Sequence, residues 1–232
     1  MHTYSLLLAR MSSFSLSNDT VSTFSIYSRI AKDAMSLQEK FDMTAIIPDL
    51  YVYFYGRIAW RFEPLQAGID KLRQGFEAGL SSGHADMGLH SAIQVIKNTI
   101  CMGANLTSIL KEIDYYLHTM ETYKSAMGRT YMLIFRETVS TLIDNGEATG
   151  IDANPSVGDL NDQKNKFRES VLYHSAIRCY WLGHTERCRY YSEKCMIGMK
   201  PIGHGGNIMA YVATFFIGKL QLEPCFELCP RE

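Results

Sequence analysis

The chain has 232 residues, of which 47% are hydrophobic and 20% charged, a balance that excludes a disordered or low-complexity chain. Its 23 basic and 24 acidic side chains leave a net charge of −1, which excludes a general electrostatic pull toward nucleic acid or an anionic membrane. No apolar run approaches the roughly 18–20 residues of a membrane span.

The N-terminal stretch has only Leu6-Leu7-Leu8-Ala9 as a continuous apolar core, too short for a secretory signal, so residues 1–18 read as a loose or fragment-edge tail. A helical region is expected over residues 19–220. Its first helix runs from Thr20 to about Lys40, with a stripe of Phe24, Ile26, Tyr27, Ile30, Ala31, Ala34 and Leu37. A second is predicted from Met43 to Phe62, with Pro48 in its first turn, where a missing N–H is harmless. Pro64 opens the next, carried by Leu65, Ile69, Leu72, Phe76 and Leu80 and stopped at Ser81-Ser82-Gly83.

Met87–Met102 follows with Leu89, Ile93, Ile96 and Ile100, and Asn105 is placed to cap the helix after it. That helix has the cleanest amphipathic stripe in the chain: Leu106, Ile109, Leu110, Ile113, Leu117 and Met120. Another spans about Met127–Ile143. A Gly-rich break is expected at about 144–158, then helices over Leu160–Leu182 and Glu186–Met199, a turn at Pro201–Gly206 and a last apolar helix over Asn207–Leu220. Residues 221–232 form a tail. No alternating segment with strand-type turns occurs, so the expected fold class is all-α, built of stacked antiparallel helix pairs.

Small residues sit inside several of these helices. Gly56, Gly68 and Gly75 are spaced by 12 and then 7, and Ala176, Cys188 and Cys195 repeat those offsets. Glycine in a helix costs about 1 kcal/mol relative to alanine, and its usual return is close approach of two helix backbones. These six are the candidate helix-packing positions, in the manner of a tetratricopeptide-like α-solenoid, whose unit is about 34 residues.

Catalytic patterns are sparse. Gly79-Leu80-Ser81-Ser82-Gly83 spells GxSxG, but a nucleophile elbow needs a strand before the serine, and here a helix is expected. A serine hydrolase using Ser81 is therefore a remote alternative to a Gly-terminated helix end. Gly203-His204-Gly205-Gly206 could offer N–H groups to an anion, yet a helix–helix turn is the better reading. His174, Cys179, His184, Cys188 and Cys195 cluster without a common zinc spacing. The basic run Arg187, Arg189, Lys194 and Lys200, with Tyr190 and Tyr191, reads as a solvated face. The six cysteines (Cys101, Cys179, Cys188, Cys195, Cys225 and Cys229) include no CxxC, which favours reduced thiols in a cytoplasmic setting. No catalytic residue, cofactor or metal is expected.

Pro64-Leu65, Ala78-Gly79-Leu80, the turn from Gly83 to Asp86, and the stretch from Tyr173 to Cys195 carry a resemblance. Together they resemble the tetratricopeptide-like region downstream of the AAA/STAND-type ATPase module in large multidomain signalling proteins. Those proteins combine a Ser/Thr-kinase-like domain, the ATPase, this helical region, a GAF domain and often a histidine-kinase output. The resemblance implies a non-catalytic scaffold or sensor segment, part of a larger signalling ATPase or kinase, that contacts other domains or a protein or peptide partner. The ATPase and kinase motifs are absent from this sequence, so no catalytic residue carries over. A free-standing tetratricopeptide-like adaptor is the alternative.

Overall fold

The structure is a computed structural model that describes residues 21–41, 43–144 and 167–199, together with residues 212, 215 and 218. The expected tails at 1–18 and 221–232, nearly all of the break at 144–158, and the turn at Pro201–Gly206 lie outside these residues, as does most of the last helix. Among the described residues there are eight α-helices and no strand. They are α1 (Val21–Lys40), α2 (Ile47–Phe54), α3 (Leu65–Ser81), α4 (Ala85–Met102), α5 (Leu106–Thr122), α6 (Ala126–Ile143), α7 (Arg168–Trp181) and α8 (Thr185–Met199). The chain divides into two compact units, with the boundary between Leu133 and Ile134, inside α6.

In the first unit, α1 buries Ala31 and Ala34 and leaves Ile26 half exposed, so its apolar stripe is narrower than the sequence suggests. The expected single helix from Met43 to Phe62 is two pieces. Pro48 sits in the first turn of α2, whose Leu50, Val52 and Phe54 are buried. Regular helix then stops at Phe54, and only a 3-10 turn over Ala59–Arg61 follows. The stop is imposed from outside the segment. The Tyr55 carbonyl accepts from Asn98 Nδ2 at 3.4 Å, and the Gly56 carbonyl accepts from Lys97 Nζ at 3.1 Å. Two side chains of α4 thus cap the C-terminal end of α2, where a cation is also favoured by the helix dipole.

Helices α3 and α4 form the tightest pair. Ile69, Leu72 and Phe76 of α3 are buried, and so is every residue of α4 from Ser91 to Thr99. The turn between them uses Gly83 at φ +81°, a conformation that favours glycine. The His84 carbonyl then accepts the Gly88 N–H at 3.1 Å, so α4 begins at Ala85, two residues before the sequence expectation. The pair can close because Gly79 faces Gly88: a Cβ on Gly79 would lie 2.5 Å from the Gly88 Cα. At the far end, Gly103 adopts φ +74°, and the Ala104 N–H returns to the Thr99 carbonyl at 3.3 Å.

Asn105 caps α5 as its sequence position indicates, its side-chain oxygen accepting the Ser108 N–H at 3.0 Å. The predicted stripe buries Ile109, Ile113 and Met120. Arg73 of α3 reaches Glu112 of α5 with both Nε (2.9 Å) and Nη2 (3.0 Å), and Phe76 packs edge-on against Tyr116 at 4.9 Å.

The second unit contains the later half of α6, with Phe135 and Val139 buried, and the pair α7–α8. Its turn is built like the first. Gly183 adopts φ +76°, and the His184 carbonyl accepts the Cys188 N–H at 2.9 Å. Cys179, Gly183, His184 and Cys188 stand at the same intervals as Gly79, Gly83, His84 and Gly88.

Not every helical glycine marks a tight contact. A Cβ on Gly68 would meet Tyr55 at 3.6–3.8 Å, ordinary van der Waals distance. Gly68→Ala should therefore keep the fold and raise its stability by about 0.5–1 kcal/mol through helix propensity. Urea unfolding followed by circular dichroism measures this, and a marked loss of stability would contradict the contact distances.

Candidate functional site

The six packing positions fall in different settings. Gly56 lies in the turn after α2, not within a helix, and a Cβ there would come 2.4 Å from the Val52 carbonyl oxygen and 2.9 Å from Gln94 Cγ. Gly68 and Gly75 lie in α3, and a Cβ on Gly75 would approach Ser91 Oγ at 3.0 Å. Ala176, Cys188 and Cys195 are fully buried. Cys195 Sγ lies 3.7 Å from the Glu169 carbonyl, a contact between α8 and α7. Burial pushes the Cys179 thiol up to about 11 and the Cys195 thiol up to about 12, so neither is a ready nucleophile.

Of the polar groups with the most unusual surroundings, only His174 was singled out by the sequence pattern. In the first unit, Lys97 of α4 is 8% exposed and Asn98 is fully buried. Lys97 Nζ donates to Gly56 O at 3.1 Å and to Gln94 Oε1, and Asn98 Oδ1 has no hydrogen-bond partner. Burial, with the nearby Arg57 charge, draws Lys97 down to about 8. His90, two helical turns before Lys97 on the same helix, is drawn down to about 4, first by burial and then by Arg57 and Lys97. One signal for this seam was available: Lys97 sits among Ile93, Ile96 and Ile100, an apolar setting in which a charged side chain is expensive unless held.

In the second unit, α7 buries all residues from Ser170 to Cys179, polar ones included. Arg178 Nη1 donates to Glu137 Oε1 of α6 at 2.7 Å, and Arg178 Nη2 donates to Ser175 Oγ at 3.2 Å. His174 lies between the rings of Phe135 (4.9 Å) and Tyr173 (5.0 Å), and neither of its nitrogens has a hydrogen-bond partner. Burial, then the Arg178 charge, draws His174 down to about 3.

That depression has a sign. Below its ordinary value of 6.5 the unfolded chain takes up a proton on His174, whereas the folded chain does not until about pH 3. The stability due to the neutral imidazole is full above pH 6.5 and is lost as pH falls toward 3. His90 acts in the same direction. Urea midpoints should fall between pH 6.5 and 4, and His174→Leu should flatten the part of that fall that belongs to the second unit. An unchanged acid profile in His174→Leu would refute the assignment.

Ser81 is the last residue of α3, exposed at a helix end, where its Oγ donates to the Ala78 carbonyl at 3.2 Å. No strand leads into it, so the geometry of a nucleophile elbow is not formed. His204, Gly205 and Gly206 lie outside the described residues. Among the described residues no group of three or more His, Cys, Asp or Glu side chains is placed to hold a metal ion. His174, Cys179, His184, Cys188 and Cys195, clustered in sequence, thus do not converge as a ligand set.

Among the described residues these features define packed α-helix pairs without a strand, and no described helix is long and apolar enough to cross a membrane. Set against known proteins, the chain matches no family model, and no curated protein or solved structure matches it significantly.

Proposed function

We propose that this chain is a non-catalytic, tetratricopeptide-like helical-repeat segment, a cytoplasmic scaffold or sensor within a larger signalling ATPase or kinase. Its task is contact with neighbouring domains or with a protein or peptide partner. The observation that carries this reading is the recurrence of one helix–turn–helix design. A positive-φ glycine and a helix-starting histidine join α3 to α4 and again α7 to α8, with small residues at the matching positions Gly79, Gly88, Cys179 and Cys188. Units of this kind bury their apolar faces against neighbours and offer extended surfaces for binding. Exposed aromatic side chains supply anchors for a partner: Tyr115 is 59% exposed, Trp181 68% and Tyr190 56%.

The experiment is recovery of the full transcript. A Walker motif upstream in the same reading frame supports a segment of a signalling ATPase. A start at Met1 with a stop after Glu232 favours the free-standing adaptor instead. A serine-directed activity probe that labels the wild type but not Ser81→Ala would defeat both readings and revive hydrolase chemistry.

A further inference from the structure

We propose that the outer face of α8 is a self-complementary surface on which a second copy of this chain docks, the two α8 helices lying side by side and parallel.

The face follows from how α8 is anchored. Cys188, Ser192 and Cys195 are fully buried and recur at four- and three-residue steps, so one side of the helix is held inward. At about 100° per residue, Glu186, Arg187, Tyr190, Glu193, Lys194 and Ile197 share an arc of about 120° on the opposite side, and all six are exposed. Tyr190 is 56% and Ile197 60% exposed, although both are large hydrophobic side chains.

Across that arc the side chains are sorted by charge. Glu186 and Glu193 form one edge, Tyr190 and Ile197 the centre, and Arg187 and Lys194 the other edge. Each pair repeats at seven residues, two helical turns, so the three run along the helix as stripes. Lys194 Nζ lies 5.7 Å from the centre of the Tyr190 ring, which sets the basic edge against the apolar centre. Arg189 stands outside the arc, beyond the acidic edge, where its Nη1 donates to Glu186 Oε1 at 3.3 Å. The basic run of the sequence is thus divided: Arg187 and Lys194 share the face, and Arg189 does not.

This order identifies the occupant. A fitting partner offers base, apolar and acid in the reverse order, and the face itself does so when turned about a two-fold axis. With the axis running along the helices, the acidic edge of each copy lies beside the basic edge of the other, and Tyr190 and Ile197 meet their counterparts. An axis running across the helices sets acid against acid, which disfavours the antiparallel arrangement. In the parallel pair, Glu193 of each copy stands within about 1.5 Å, one residue's rise, of the level of the other copy's Lys194. Glu186 stands in the same relation to Arg187. With two apolar side chains per copy the association is weak and reversible, and its charged edges make it sensitive to salt. The pairing uses only the side-chain order on α8, so it stands or falls apart from the helical-repeat reading of the whole chain.

The test is sedimentation equilibrium of the full chain, from low micromolar to several hundred micromolar, at low and at high salt. The wild type should dimerise as concentration rises, and more strongly at low salt. Glu193→Lys and Lys194→Glu should each weaken dimerisation by about tenfold or more, because each sets like charges opposite one another at two symmetry-related places. Both positions are exposed, so the urea midpoint at low micromolar concentration should stay nearly unchanged. An equimolar mixture of the two variants should associate again, since every edge then faces its opposite charge. A wild type that stays monomeric throughout would leave the face to another protein or domain and overturn the proposal. Dimers that both variants leave intact, or a mixture that fails to associate, would overturn it equally.

Discussion

Gly79→Ala is expected to destabilise the first unit by about 2–3 kcal/mol, although alanine is the better helix former. The added Cβ would sit 2.5 Å from the Gly88 Cα, 2.7 Å from the Gly88 nitrogen and 3.1 Å from the His84 carbonyl oxygen. All three obstacles are backbone atoms, so no rotamer change relieves them. The helices α3 and α4 must separate, and the buried stripe of Ile69, Leu72 and Phe76 loosens with them. Gly68→Ala in the same helix is the internal control, since its Cβ would meet only the side chain and carbonyl of Tyr55 at contact distance. Urea unfolding of the two variants side by side decides the matter. If Gly79→Ala is no less stable than Gly68→Ala, the close crossing of α3 and α4 is wrong.

Glu137→Ala should cost the second unit about 2–3 kcal/mol, because it leaves Arg178 buried without its counter-charge. The Arg178 side chain is 6% exposed and that of Glu137 36%, so solvent screens the acid and the loss falls below that of a fully buried pair. Among the described residues, Arg178 then keeps only its hydrogen bond to Ser175 Oγ at 3.2 Å. The companion variant, Arg178→Met, removes the buried charge itself. The double variant should therefore be more stable than Glu137→Ala alone, a result expected of a buried charge and not of two independent packing defects. Additive losses in the double-mutant cycle would rule out the pair as a source of stability.

Much of the helical layout was legible in the residues. The apolar stripe of α5 and the Asn105 cap are local patterns, and both appear where the sequence places them. Pro48 likewise marks the start of α2. The spacing of small residues was legible only in part. The sequence pattern joins Gly56, Gly68 and Gly75 to Ala176, Cys188 and Cys195. In the structure Gly56 lies in a turn, whereas Ala176 lies within α7. The correspondence seen in the two turns is instead Gly79, Gly83, His84 and Gly88 with Cys179, Gly183, His184 and Cys188. Spacing alone does not distinguish a glycine that faces a backbone, such as Gly79, from one that faces a tyrosine ring, such as Gly68.

Residue order by itself determined that this chain is helical, where most helices begin and end, and which stripes turn inward, because those properties follow from groups only a few positions apart. Tertiary structure decided where α2 stops, which glycines touch, and which polar groups are enclosed. Lys97 and Asn98 cap a helix distant in the chain, and Glu137 meets Arg178 across two elements. Those outcomes depend on contacts between segments, and neither a helical period nor a local propensity contains them.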